Sequence, residues 1–222
     1  MKPAAVITAV VLAFFTAAFA STCAVAQEGS DTGDDPLKER LGVRVGYART
    51  QNRLSDAYGA GLNLALHFTQ RIRKPFSIDV TVGAIYLGST DKDIQFPDFD
   101  TAWFDDVSMR ILMLTAAPMV EVEVSDRTSY YFSVGAGLYS ATLILDQALT
   151  ELDLTKNYFG INANVGATRR IFTNWFLDLN LHVHRFWTPD DPRSVDWIYL
   201  FSDGDSDPLF WTITGGVGLR LF

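Results

Sequence analysis

The chain has three histidines, and two of them, His182 and His184, stand two residues apart. On a β-strand that spacing puts both imidazoles on one face, where they could act as paired metal ligands or as a base for acyl hydrolysis. Either chemistry needs a third group. No serine stands at close spacing after His184, which Arg185, Phe186 and Trp187 follow, and neither reaction finds a defined partner. The pair reads instead as hydrogen-bonded members of a polar network, with Asn162 and Asn164 on a neighbouring strand. A second candidate is Asp203-Gly-Asp-Ser-Asp207, whose alternating carboxylates look like the start of a calcium loop. The full twelve-residue pattern and its closing Glu are missing, so weak divalent-cation binding stands beside a solvated, repelling face. No metal site, cofactor or catalytic set is assigned.

The element that carries the histidines explains them better. Trp175, Leu177, Leu179, Leu181 and Val183 alternate with Phe176, Asp178, Asn180, His182 and His184, one oily face against one wet face at the period of a strand. Tyr58 to Gln70 repeats the pattern, with Tyr58, Ala60, Leu62, Leu64, Leu66 and Phe68 against Gly59, Gly61, Asn63, Ala65 and His67. Six further stretches follow suit: Leu41 to Ala48, Phe76 to Gly88, Val107 to Val124, Ser129 to Leu145, Asn157 to Phe172 and Leu209 to Phe222. The expected fold is all-β, an eight-stranded antiparallel up-and-down transmembrane β-barrel over residues 41–222. A soluble lipocalin-like barrel would alternate in the same way with its oily face turned inward, so periodicity alone leaves both open.

Three features favour the membrane. Lys2 precedes an apolar run from Ala4 to Ala20, and Ala24 and Ala26 precede Gln27; this predicts a Sec signal peptide over residues 1–26, with cleavage after Ala20 as the alternative. Residues 27–40 are polar and acidic and predict a flexible periplasmic leader. Next, the links alternate in length. Arg49 to Ala57, Ser89 to Asp106, Asp146 to Lys156 and Thr188 to Pro208 are long; Arg71 to Pro75, Ser125 to Thr128 and Thr173 to Asn174 are short. Long outside loops and short periplasmic turns are the outer-membrane pattern. Third, Tyr47, Tyr58, Tyr86, Phe159, Trp187 and Trp211 fall near the outer strand ends, and Phe68, Phe76, Tyr130, Phe132, Trp175 and Phe222 near the periplasmic ends. Two aromatic girdles suit two membrane interfaces.

With the oily faces in lipid, the periplasmic half of the lumen collects Arg44, His67, Asp79, Glu121, Glu123, Arg170, Asp178 and Arg220. Eight strands leave an interior only just wide enough for side chains, so these charges must meet. Arg44 and Arg220 are expected to reach Asp79, Glu121 and Glu123 across the lumen, closing it to solute; the alternative is a gated pore in which those pairs open. The outer half carries Ile85, Leu87, Ile111, Met113, Leu143 and Leu145, which form either a packed plug or a pocket for a hydrophobic ligand. Pro118 predicts a bulge within its strand.

The stretch GINANVGATRRIFTNWFLDLNLHVHRF, from Gly160 to Phe186, and the end GGVGLRLF give the chain a resemblance to the small outer-membrane β-barrel superfamily. That group includes the OmpA-like transmembrane domain and the OmpX-, OmpW- and opacity-protein-like barrels. The resemblance covers Leu41 to Phe222. It implies recognition of a terminal Phe by the outer-membrane assembly machinery, although here Gly218 and Arg220, not Val217, Leu219 and Leu221, share that residue's register. The superfamily holds adhesins, channels, enzymes and anchors, so it fixes no activity.

The outside loops bear Asp91, Asp93, Asp98, Asp100, Asp105 and Asp106, then Asp190, Asp191, Asp196, Asp203, Asp205 and Asp207. They account for much of the net charge of −8 and exclude nucleic acid as a partner. Trp103, Phe104, Trp197, Tyr199 and Phe201 are interleaved with them. The expectation is a monomeric outer-membrane protein, contacting lipid and lipopolysaccharide, whose barrel anchors a surface-interaction role. A narrow channel or carrier for small hydrophobic ligands is the alternative, and a lipid-modifying enzyme a further one.

Overall fold

The computed structural model describes residues 39–51, 58–89, 106–147, 150–187 and 209–221. The proposed signal segment, most of the leader, residues 52–57, 90–105, 148–149 and 188–208 with the acids and aromatics they contain, and Phe222 lie outside the described residues. Eight antiparallel strands, β1 (Glu39–Thr50), β2 (Tyr58–Arg73), β3 (Phe76–Ser89), β4 (Asp106–Ser125), β5 (Thr128–Gln147), β6 (Thr150–Arg170), β7 (Trp175–Trp187) and β8 (Leu209–Arg220), follow one another around a closed barrel. β1 closes against β8 from Arg40↔Arg220 to Thr50↔Phe210. Closure satisfies the backbone groups that an open sheet edge would leave bare in a bilayer.

Alternation decides which face is which. Along β7 every odd position from Trp175 to Trp187 is exposed and every even one buried. The exposed set across the barrel is apolar: Val43, Val45, Leu62, Leu64, Val134, Leu138, Val165, Leu179 and Ile213 all point outward. An exterior of that kind belongs in hydrocarbon and rules out the soluble lipocalin-like alternative. Tyr47, Tyr86, Phe159 and Trp187 are exposed toward the long-link end, and Phe76, Tyr130, Phe132 and Trp175 toward the short-turn end.

Four local details depart from the sequence reading. β1 begins at Glu39 and β2 runs to Arg73, so Arg40 and Arg71 belong to strands rather than to the leader and a turn. Tyr58, expected on the oily face, is 1% exposed and lies inside, because a register shift between Tyr58 and Gly61 turns it inward; a bulge reverses facing on one side of itself. Pro118 makes no such shift. Pairing with β5 lapses at Ala117 and Pro118 and resumes in the same register at Met119↔Ser133, and Pro118 faces out. Opposite the preceding Ala117, Gly135 allows close approach, since a Cβ there would stand 2.5 Å from the Ala117 Cβ. Lastly, the link expected over Asp146 to Lys156 is mostly strand. β5 and β6 pair up to Gln147↔Thr150, well beyond the roughly 9 to 11 residues that cross a bilayer.

The short turns are locally fastened. Ser125 Oγ accepts from the amides of Arg127 and Thr128 at 3.3 and 3.1 Å, and the Ile171 amide donates to the Trp175 carbonyl at 3.0 Å.

Candidate functional site

The lumen is the site that the fold builds, and it has four levels. Nearest the short-turn end, Arg40 on β1 reaches across to Glu121 on β4 and donates twice, Nη1 to Oε1 at 2.9 Å and Nη2 to Oε2 at 2.8 Å. This is the fork-to-carboxylate geometry that favours arginine over lysine. Arg71 adds a bond from Nη2 to the same carboxylate at 3.2 Å and another to Glu123 at 3.1 Å. Ser129 donates its hydroxyl to Glu121. Glu123 is exposed and also meets Lys74 at 3.3 Å.

One layer up, Arg44 holds Asp178 on β7, with Nε to Oδ1 at 2.8 Å and Nη2 to Oδ2 at 3.3 Å. The Tyr131 hydroxyl accepts from Arg44 at 3.1 Å and donates to Asp178 at 3.0 Å. Asn180 donates to Tyr131 at 3.0 Å and to Asn164. Asp79 lies apart from these arginine pairs: it accepts from Thr69 at 2.8 Å and Thr81 at 3.0 Å, with His67 Nδ1 3.7 Å away. Glycines make space for the rings of this layer, His67 over Gly42, Phe176 over Gly218 and Tyr131 over Gly166.

The expected arginine pairings are therefore redistributed. Arg44 takes Asp178, not Asp79, Glu121 or Glu123; Arg40 takes the role assigned to Arg220 at Glu121. Arg220 and Arg170 face the lumen mouth but form no ion pair among the described residues. The physical reason is stagger. Strands in a barrel tilt, so residues level in sequence counting are not level around the wall, and a strand two places away can present its carboxylate at the height where the opposite wall does not.

Above the charges, His182 Nε2 stands 3.1 Å from Asn162 Oδ1 and His184 Nδ1 3.0 Å from the Tyr139 hydroxyl. Their rings lie 3.9 Å apart. No group of three potential metal-binding side chains occurs among the described residues. Asn63 Oδ1, Ser133 Oγ, Thr212 Oγ1 and Thr214 Oγ1 are buried without a protein partner, as suits groups that hydrogen-bond internal water.

The outer level is apolar. Ile85, Leu87, Ile111, Met113 and Leu143 are all buried in one cluster with Ala48, Tyr58, Met109, Tyr139, Tyr158, Phe186 and Phe210; the Leu145 side chain lies outside the described set. Tyr139 sits 4.6 Å from Phe186 and 6.4 Å from Phe210, ring centre to ring centre, and Phe186 stacks on Tyr158 at 5.6 Å. These aromatics escaped the sequence reading although their register gives them away: Phe186 shares a face with His182 and His184, and Tyr139 with Leu143.

No family model and no curated protein matches the chain. Solved structures do match its fold. Neisserial surface protein A aligns at a TM-score of 0.55 and 11% identity over 82% of this chain and 97% of that one. A major outer membrane protein from Thermus thermophilus aligns at 0.55 and 14% over 84% and 100%. Ail, the attachment invasion locus protein of Yersinia pestis, in complex with the heparin analogue sucrose octasulfate, aligns at 0.52 and 13% over 83% and 99%.

Proposed function

We infer that this chain, a small integral β-barrel of the bacterial outer membrane, is a closed anchor that presents its long links and the projecting β5–β6 hairpin to the surroundings of the cell. The observation that carries the reading is the filled lumen. The Arg40–Glu121 pair spans it from β1 to β4, the Arg44–Asp178 pair ties β1 to β7 in the next layer, and aromatic side chains pack above them. Opening a path for ions would mean breaking buried pairs at several kcal/mol each, while the mid-lumen polar groups suffice for water alone. In planar bilayers the protein should show no steady conductance; a stable ohmic channel would overturn the closed reading.

The carrier alternative needs a cavity among Ile85, Leu87, Ile111, Met113 and Leu143. Their burial against Tyr139, Phe186 and Phe210 supports a plug in its place. The enzyme alternative is weakened by the same geometry, because His182 and His184 spend a nitrogen each on Asn162 and Tyr139. Unchanged lipid A in cells with and without the protein is the expected result.

What the barrel presents is acidic. Ail is described with a polysulfated ligand, but the many Asp of the outer links here would repel a polyanion and suit a cationic or divalent-bridged surface instead. Cells carrying the protein should bind polylysine-coated surfaces better than heparin-coated ones, and the reverse order would sink this part of the reading.

A further inference from the structure

The short-turn mouth has more cations than its carboxylates can match. Arg40, Arg71, Arg170 and Arg220 all face the lumen there, with Lys74 on the adjoining turn. Among the described residues the carboxylates on that face are Glu121 and Glu123; Glu39, buried at the start of β1, alternates with Arg40 to the other face. Glu121 is already held by Arg40 on both oxygens and by Arg71, and Glu123 by Arg71 and Lys74. Arg40 and Arg220 are direct cross-strand partners, a like-charge pairing that destabilises a sheet unless a counter-charge intervenes. Arg220 also lies in the fields of Arg71 and Arg170, against which Glu121, already shared by Arg40 and Arg71, is the opposing charge. The donors of this group are unfinished as well: Arg220 Nε, Arg71 Nη1 and the neighbouring Ser77 Oγ are buried with no hydrogen-bond partner among the described residues. A buried guanidinium nitrogen without an acceptor is costly, and several at one mouth point to an acceptor supplied from outside.

We propose that Arg71, Arg170 and Arg220, gathered beside the Arg40–Glu121 pair at the periplasmic mouth, form a binding site for a phosphate-type oxyanion. A tetrahedral anion offers acceptors in several directions at once, which suits guanidinium forks arriving from β2, β6 and β8. The mouth opens where short turns meet the periplasmic side, so the phosphate can come from a phospholipid headgroup of the inner leaflet or from a soluble phosphate. The site is separate from the outer links and does not depend on the anchor reading.

The test uses the full chain folded in dodecyl maltoside, a detergent without phosphate. Arginine Nε–Hε resonances are followed by NMR while inorganic phosphate replaces chloride at constant ionic strength. Saturable shifts at Arg71 and Arg220 are expected, with affinity reduced about tenfold or more in Arg170→Gln/Arg220→Gln, the loss of two charge-assisted contacts. Arg170→Gln alone, at a half-exposed residue without an ion pair, is the milder variant should the double one fold poorly. Repeating the titration with dioctanoyl phosphatidylglycerol separates the sources: tighter binding of the lipid assigns the site to a headgroup, and tighter binding of inorganic phosphate to a soluble anion. Non-saturable shifts that chloride reproduces, or an affinity for both ligands unchanged in the arginine variants, would overturn the proposal.

Discussion

Arg44 and Asp178 meet inside the barrel through two hydrogen bonds of 2.8 and 3.3 Å, joining β1 to β7 past the intervening β8. Both side chains are almost wholly buried. The pair with its Tyr131 bridge fixes the height at which the two strands stand, since a slip of one would leave a buried charge unpaired.

Asp178→Ala leaves the Arg44 guanidinium buried without its counter-charge and should cost about 3 to 5 kcal/mol. Replacing both by leucine should recover much of that, because the penalty lies in the unpaired ion rather than in the lost attraction. Arg220→Ala, by contrast, removes a cation that holds no carboxylate and should stay within about 1 kcal/mol of the parent. Urea unfolding in detergent micelles ranks the three. A loss for Arg220→Ala as large as for Asp178→Ala would place the lumen tie at the wrong arginine.

That contrast shows where sequence reasoning reaches and where it stops. The facing of Asp178, His182 and His184 follows from strict alternation, which β7 obeys from end to end. The partner of Asp178 does not follow, because tilt and stagger decide which strand brings a cation to its height, and neither is written in one strand's pattern. Arg40 and Arg71 were missed for a simpler reason. They continue the inward registers of Arg44 and His67 past the last oily residue, and a strand boundary drawn at the end of hydrophobic alternation cuts them off. Tyr58 failed in the opposite way, through a bulge that Gly59 and Gly61 permit without announcing it.

The bulge gives a second prediction. In a Cys23→Ser background, cysteine at position 62 or 64 should react with a lipid-soluble reagent, whereas cysteine at position 58 should be protected, although all three share one parity. Native Leu62 and Leu64 are exposed while Tyr58 is buried. Labelling at 58 equal to that at 62 would mean an unbulged strand and an outward Tyr58, and the buried apolar cluster would then lose a wall.

The membrane assignment rests on the outward face, and Leu179 tests it hardest. It is 61% exposed, it pairs with Ala167 and Gly215 on the flanking strands, and it lies midway along β7, close to the hydrocarbon centre. Leu179→Arg should destabilise the inserted barrel by roughly 2 to 4 kcal/mol, the depth-dependent cost of a cation on the lipid face. The same change at Trp175, at the end of β7 where a long side chain can reach the interface, should cost less, about 0 to 1 kcal/mol for the charge itself. A barrel standing in water would reverse the order, since Arg at position 179 would be harmless on a solvated surface and the loss of an indole would dominate. Folding equilibria in phospholipid bilayers decide between them, and equal tolerance of Arg at both positions would remove the membrane from the argument.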